Sequence, residues 1–158
     1  MRSLISILVL LFISTGTAVA AGPTVSVSPQ QSVVAVGGTA SVNIVLQNFP
    51  VSEGGGVSLQ FDPAVVKVTG VSVNSTQWDF ASSPGTIDND KGKVSDIWFS
   101  SFKGLSGTAT VATIQLQAVK GGKCPLKISE SSLNPFASGG QIVAVQFVNG
   151  LVQVKGRK

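Results

Sequence analysis

Histidine and tyrosine are absent from this 158-residue chain, cysteine occurs once, and charged residues make up 11%. Without histidine the chain lacks the side chain that most often serves as general base and metal ligand. A single cysteine, Cys124, excludes an intrachain disulfide and a thiolate metal cage. No Ser-His-Asp or Cys-His nucleophile system can be assembled either. The charged share is under half the roughly 25% of an ordinary globular domain. What is abundant is glycine (18 residues), together with 7 prolines and many β-branched side chains. That balance describes an all-β protein rather than a disordered one. No catalytic residue, cofactor or metal site is expected.

Long apolar runs are also lacking, with one instructive exception at the start. Met1-Arg2 is followed by the stretch Leu4 to Ile13, interrupted only by Ser6, and then by small residues ending in Ala18-Val19-Ala20. Ten residues are too few to cross a hydrocarbon core of about 30 Å as a helix. A positive start, a short apolar run and an A-x-A ending describe a secretory signal peptide, removed after Ala20. The expectation is an exported domain at residues 21–154, extracellular or periplasmic, with a basic tail at 155–158 and no membrane anchor. Its net charge of +4 traces to Arg2 and to Lys155, Arg157 and Lys158. The body between them balances seven lysines against seven acids, which predicts no basic face and no nucleic-acid partner. Cys124, with no partner in an oxidising compartment, is expected as a small buried apolar residue.

The mature chain alternates with period two, and no segment shows a 3.6-residue apolar face. Strands are predicted at Val25–Ser28, Gln31–Val36, Ala40–Gln47, Val57–Phe61, Val65–Val73, Lys93–Ser100, Thr108–Ala118, Cys124–Ser129, Ile142–Val148 and Leu151–Val154. Turns fall at Gly37-Gly38, Asp62-Pro63, Ser82 to Gly85, Asp88 to Gly92 and Gly121-Gly122. Asn149-Gly150 between apolar runs predicts a hairpin. Strands at intervals of roughly 8–12 residues indicate one sandwich or jelly-roll domain.

The acids offer little chemistry. Asp62, Asp88 and Asp90 stand in turns, where their carboxylates bond the backbone. Asp88 to Gly92 resembles a calcium loop poorly: Phe99 stands at the twelfth position, where a glutamate is wanted. Asn74-Ser75-Thr76 fits a glycosylation acceptor, a pattern too short to argue from. The aromatics say more. Strict alternation over Lys93–Ser100 puts Val94, Asp96 and Trp98 on one face. An unpaired buried Asp96 would cost several kcal/mol, so that face is expected outward, carrying Trp98 with it. An outward indole either anchors a protein interface or stacks on a sugar ring. The alternative is a Trp98 covered by the loop around Trp78 to Phe80.

The order of these motifs resembles a cohesin domain, the β-sandwich module that binds dockerin domains in cellulose-degrading assemblies. The resemblance runs from about Val25 to Val154. It is carried by Gly38-Thr39 ahead of a valine-rich strand, by Val57-Ser58-Leu59-Gln60-Phe61-Asp62-Pro63 and the apolar strand after it, by Ile87 to Phe99, by Ala112 to Leu116, and by the closing Asn149 to Val154. It implies a nine-stranded jelly-roll β-sandwich, a non-catalytic role and a dockerin-like partner. The sheet holding the strand before the aromatic-Asp-Pro motif would face that partner. Family positions that carry polar contacts correspond to Gly54 and Gly56 here, leaving Ser58, Gln60, Asp96 and Trp98 as the expected partner-binding residues. Cohesins also resemble cellulose-binding modules in fold. This keeps a second reading open, a carbohydrate-binding module stacking sugar on Trp98 and Trp78. A third is a structural subunit of an extracellular assembly, pairing edge strands with its neighbours.

Overall fold

A computed structural model describes residues 21–156; the expected signal peptide (1–20) and the last two residues of the expected tail lie outside the described residues. Twelve strands form and no helix is present among the described residues: β1 (Thr24–Ser28), β2 (Gln31–Ala35), β3 (Thr39–Gln60), β4 (Val66–Val73), β5 (Ala81–Ser83), β6 (Thr86–Asp88), β7 (Lys93–Ala118), β8 (Gly122–Glu130), β9 (Ala137–Ser138), β10 (Gln141–Ile142), β11 (Gln146–Val148) and β12 (Gly150–Lys155). Strands β3 and β7 are long enough to belong to both layers. Their first and last halves pair with each other throughout, with register shifts between Ile44 and Gly54 where the ribbon bends. Bulges of this kind let one strand turn the corner of a sandwich.

One layer is β11-β1-β3-β7-β4, built on residues 39–47 and 108–118 of the long strands. The other is β2-β12-β8-β3-β7, with β5 and β6 on the far side of β7, built on residues 54–60 and 93–100. Counting each long strand twice, joining β1 with β2, β5 with β6 and β11 with β12, and leaving the β9–β10 hairpin aside gives nine strands. This is the jelly roll expected from the residues. Between the layers lie Val25, Ile44, Leu59, Ile97, Ile114, Leu116, Leu126 and Val152, all buried. Ala112, Ile114, Leu116 and Ala118 share the inward side of β7 as the alternation predicted. Cys124 is buried as well, accepting a hydrogen bond from the Asp62 N–H at 3.2 Å. Desolvation pushes its thiol above the ordinary range.

Three expectations are corrected. Asn149-Gly150 makes no hairpin: β11 runs parallel to β1 in one layer, whereas β12 joins β8 and β2 in the other. The dipeptide carries the chain between layers, Gly150 sitting where a Cβ would strike Val27 and Asn149 Oδ1 accepting the Ile128 N–H at 3.0 Å. The strand expected at Ile142–Val148 is divided between β10 and β11. The expected start of the basic tail at residue 155 is also moved. Lys155 belongs to β12 and pairs with Ala35, while Gly156 abuts Gly121, so Lys120, Lys123 and Lys155 converge at one end of the sandwich.

At the edge of the other layer, Asn89 does the work of a neighbouring strand for β4. Its Oδ1 accepts the Val68 N–H at 2.8 Å and its Nδ2 donates to the Val68 carbonyl at 2.9 Å. The Asp88–Gly92 turn is thus a backbone clamp, tightened by Asp88 Oδ1 accepting the Asp90 and Lys91 N–H groups. Asn89→Ala strands a donor and an acceptor beside the buried Val68. It is expected to cost about 1–3 kcal/mol, read as a lowered urea midpoint with an unchanged slope.

Candidate functional site

The outer face of the β8-β3-β7 layer departs from strict alternation at one residue. Val57 pairs with Ile97 but Leu59 pairs with Val94, so β7 carries one extra residue opposite Ser58. Asp96 takes a left-handed φ of 58°, a conformation that Asp tolerates better than most side chains. The bulge turns Val94, Ile97 and Phe99 all inward and Trp98 outward. The expectation that Val94 shares the face of Asp96 and Trp98 is therefore corrected, while the outward Trp98 survives.

Asp96 is held from two sides. Its N–H donates to Ser58 Oγ at 3.2 Å, and its Oδ1 accepts the Ser131 hydroxyl at 2.8 Å. Ser58 is only 7% exposed as a result. Ser58, expected as a partner contact, is instead buried as the acceptor for Asp96, and Asp96 fastens the segment after β8 onto the sheet. Gln60 remains exposed near the other end of the same face.

That segment, residues 131–138, determines the site's shape. Phe136 is fully buried and packs on Phe49 and Phe99, with ring centroids at 5.5 and 6.0 Å. Gly55 makes room for it, since a Cβ there would stand 2.6 Å from the Phe136 ring. The Ser131 N–H donates to the Gly56 carbonyl at 2.9 Å, and Ser52 Oγ donates to the Ala137 carbonyl at 2.8 Å. Gly139 N–H donates to Glu53 Oε1 at 2.8 Å, closing the far end. Ser131 and Asn134 cover Gly56, so the second of the two positions aligned with family contacts lies beneath this strap.

Between strap and strand lies an open groove of about 340 Å³. Gly54 and Gly55 line its base, with Trp98 and Ser100 on one side, Leu133, Asn134 and Pro135 on the other, and Glu53 at hand. Leu133 is 73% exposed. Further along β7, Phe102 is 75% exposed and stacks at 4.1 Å on Phe80, itself 57% exposed. Trp98, Ser100 and Phe102 alternate onto one side of β7, so this aromatic pair continues the groove's wall. The sequence reading missed it. Two exposed phenylalanines in sequence look like core, and only the pairing of β5 with Ser100 and Phe99 sets Phe80 beside Phe102.

Trp78 does not join them. It is 1% exposed, packs on Phe99 at 4.4 Å and donates its indole N–H to the Thr110 carbonyl at 3.1 Å. Its expected sugar-stacking role is corrected: a satisfied, buried indole has no face to offer. Next to it, Asp79 accepts the Ser101 hydroxyl at 2.9 Å, which chiefly holds its carboxyl below the usual range. Asp88 is likewise lowered, first by the Lys91 N–H and then by the Lys91 ammonium at 3.1 Å. These acids serve turns and loops. The site as built offers an apolar and amide-rich surface for contact.

No protein-family model and no curated protein matches the sequence. Solved structures do match. A non-cellulosomal cohesin from the hyperthermophilic archaeon Archaeoglobus fulgidus is 14% identical, aligning 85% of this chain with 92% of its own at a TM-score of 0.71. The cohesin of a type I cohesin–dockerin complex from Clostridium thermocellum is 13% identical, over 90% of this chain and 100% of its own, with a TM-score of 0.69. The third ScaC cohesin of Acetivibrio cellulolyticus, solved with the ScaB dockerin, is 19% identical over 84% and 98%, with a TM-score of 0.65. At these identities the likeness is one of architecture, and the fold of this chain is the cohesin fold.

Proposed function

We propose that this chain is a secreted, non-catalytic binding module that holds a dockerin-type partner protein on the outer face of its β8-β3-β7 layer, within a polysaccharide-degrading or cell-surface assembly. The observation that carries this reading is the groove at Trp98. It lies on the sheet that contains the strand before Phe61-Asp62-Pro63, the sheet that faces the partner in cohesins. Trp98, partly buried at the groove's wall, beside an exposed Leu133 and on the same side of β7 as Phe102, supplies the kind of aromatic anchor that dominates protein interfaces. Export rests on the leader-like first twenty residues. The second reading, saccharide binding, is favoured by one feature of the same groove: an indole wall opposite the Asn134 amide, near the Glu53 carboxylate.

The test is capture on the immobilised chain from the source's own secreted proteins and on insoluble polysaccharides, with calcium and with chelator. Dockerins resemble paired calcium loops, so a dockerin-type partner is retained with calcium and released by chelator. Trp98→Ala is expected to weaken retention at least tenfold while the domain still folds, because its ring borders the groove and is not among the fully buried core side chains. Retention on polysaccharide that ignores chelator and is lost in Trp98→Ala would replace the protein reading with the saccharide one.

A further inference from the structure

The outer face is graded in charge. Across it run the register rows Val33–Gln153–Lys123, Gln31–Leu151–Pro125 and Lys127–Gln60–Lys93. Lys155 follows on β12, outward like Gln153 because Val152 and Val154 point in. Lys123, Lys127 and Lys155 are exposed, and among the described residues the one ion pair is Lys91 with Asp88. Of the acids, Asp88 pairs with Lys93 and also holds Lys91, Asp62 borders Lys127 while its Oδ1 accepts the Ala64 N–H at 2.9 Å, and Glu130 lies at the far end of β8, accepting the Phe136 N–H at 3.2 Å. From residue 119 onward the sequence has six basic residues and a single acid, Glu130. Lys123 and Lys155 thus stand near each other on adjacent strands with Lys127 four residues along β8, Asp62 being the one acid beside them, and they are interleaved with the apolar surfaces of Val33, Pro125 and Leu151.

We infer that the partner of this face is an acidic protein, whose carboxylates lie over Lys123, Lys127 and Lys155 while its apolar anchor occupies the groove at Trp98. This rests on the reading of the face as a protein-docking surface. Trp98 pairs with Gly56 and Lys93 with Gln60, so the two features are four residues apart on β3, about 13 Å. An interface of ordinary size, about 800 Å² per partner, that covers the groove reaches the Lys127 row, with Lys123 four residues further along β8. Complementary charge there would set orientation and speed encounter. A flat lysine surface interrupted by exposed valine and proline suits a protein with its own apolar atoms better than a fully hydrated anionic polysaccharide.

The experiment titrates the isotope-labelled chain with poly-L-glutamate, polygalacturonate and, as control, poly-L-lysine, following backbone amides by NMR. Poly-L-glutamate is expected to shift Gln60, Lys123, Lys127, Gln153 and Lys155. Its affinity is expected to fall at least tenfold in Lys123→Glu/Lys127→Glu and severalfold between 50 and 200 mM salt. An unchanged spectrum elsewhere shows that the variant is folded. Three results overturn the inference: shifts spread equally over Lys67, Lys91 and Lys103, tighter binding of polygalacturonate at the same lysines, or undiminished binding by the charge-reversed variant. Trp98-dependent capture of a protein alongside any of these would leave the docking reading standing and remove only the acidic partner.

Discussion

Phe136→Ala is expected to lower stability by about 3–5 kcal/mol and to uncover the candidate site in the same stroke. The ring is fully buried against Phe49, Phe99 and Phe147 and fills the space that Gly55 leaves open. Its removal leaves a cavity whose walls are strand backbone and other rings, which collapse poorly. It is also the one fully buried side chain in the strap. Without it, the segment over Gly54 and Gly56 keeps only its edge hydrogen bonds, among them Ser52 to Ala137 and Ser131 to Gly56. Those bonds are each worth about 1 kcal/mol net, too little to order the strap against its chain entropy. Chemical denaturation should therefore show the large loss, and amide exchange should show the Ser131, Phe136 and Gly139 N–H groups opening ahead of the global transition. A stability loss with the strap still protected would mean that the hydrogen bonds alone hold it. The control is Leu133→Ala, on the same segment but 73% exposed. It should change stability by no more than about 0.5 kcal/mol, while altering whatever binds the groove.

The layers were legible because alternation is an honest report of burial wherever pairing is regular. Over Ala112–Ala118 the inward set is the one predicted, whereas Val111 is buried beside Ala112 at a register shift, and Asp62-Pro63 turns the chain as expected, the Asp62 carbonyl accepting the Val65 and Val66 N–H groups. Legibility failed where one residue does something irregular. Asp96 at φ 58° shifts the parity of β7, and a bulge leaves no mark in a hydropathy pattern except an apparent conflict. That conflict was present: Val94 and Asp96 on one face cannot both be well placed. Asn149-Gly150 fits a hairpin locally, but pairing with β1, β2 and β8 outweighs the local preference. The strap was invisible for a different reason. Ser131 to Ala137 has no periodicity, and its one buried ring is recognised only by the glycine opposite it in space, about eighty residues earlier in the chain. The two tryptophans show the same limit. Trp78 and Trp98 are equivalent as composition, yet Thr110 accepts the indole of one while the other borders open groove.

Restoring polar side chains at the two glycines that align with family contacts is expected to damage the protein rather than confer binding. A Cβ on Gly54 would overlap the Phe99 carbonyl oxygen and stand 3.0 Å from Ser100 Cα. Both are backbone of the paired strand, which cannot move aside without breaking the Gly55–Phe99 and Gly54–Ser100 register. A Cβ on Gly56 would stand 2.8 and 2.9 Å from the Cβ atoms of Asn134 and Ser131, so it must lift the strap. Overpacking of a rigid site typically costs about 1–3 kcal/mol, and the double substitution Gly54→Asn/Gly56→Asp meets two such sites in one strand. A loss of about 3 kcal/mol or more is expected, together with loss of Trp98-dependent binding. Gly70→Ala, with open space around its Cβ, should be nearly neutral and marks the scale. If the double variant folded normally, the backbone here would be more yielding than the close packing allows, and polar contacts could be regained by substitution alone. If it fails as expected, glycine at 54 is a requirement of the close-packed β7 backbone and glycine at 56 a requirement of the strap. A partner must then recognise this face through Trp98, Leu133, the Phe80–Phe102 pair and the lysines beyond Gln60. The lack of side chains at 54 and 56 is then a property of the architecture, made necessary by the β7 backbone beside Gly54 and the segment over Gly56.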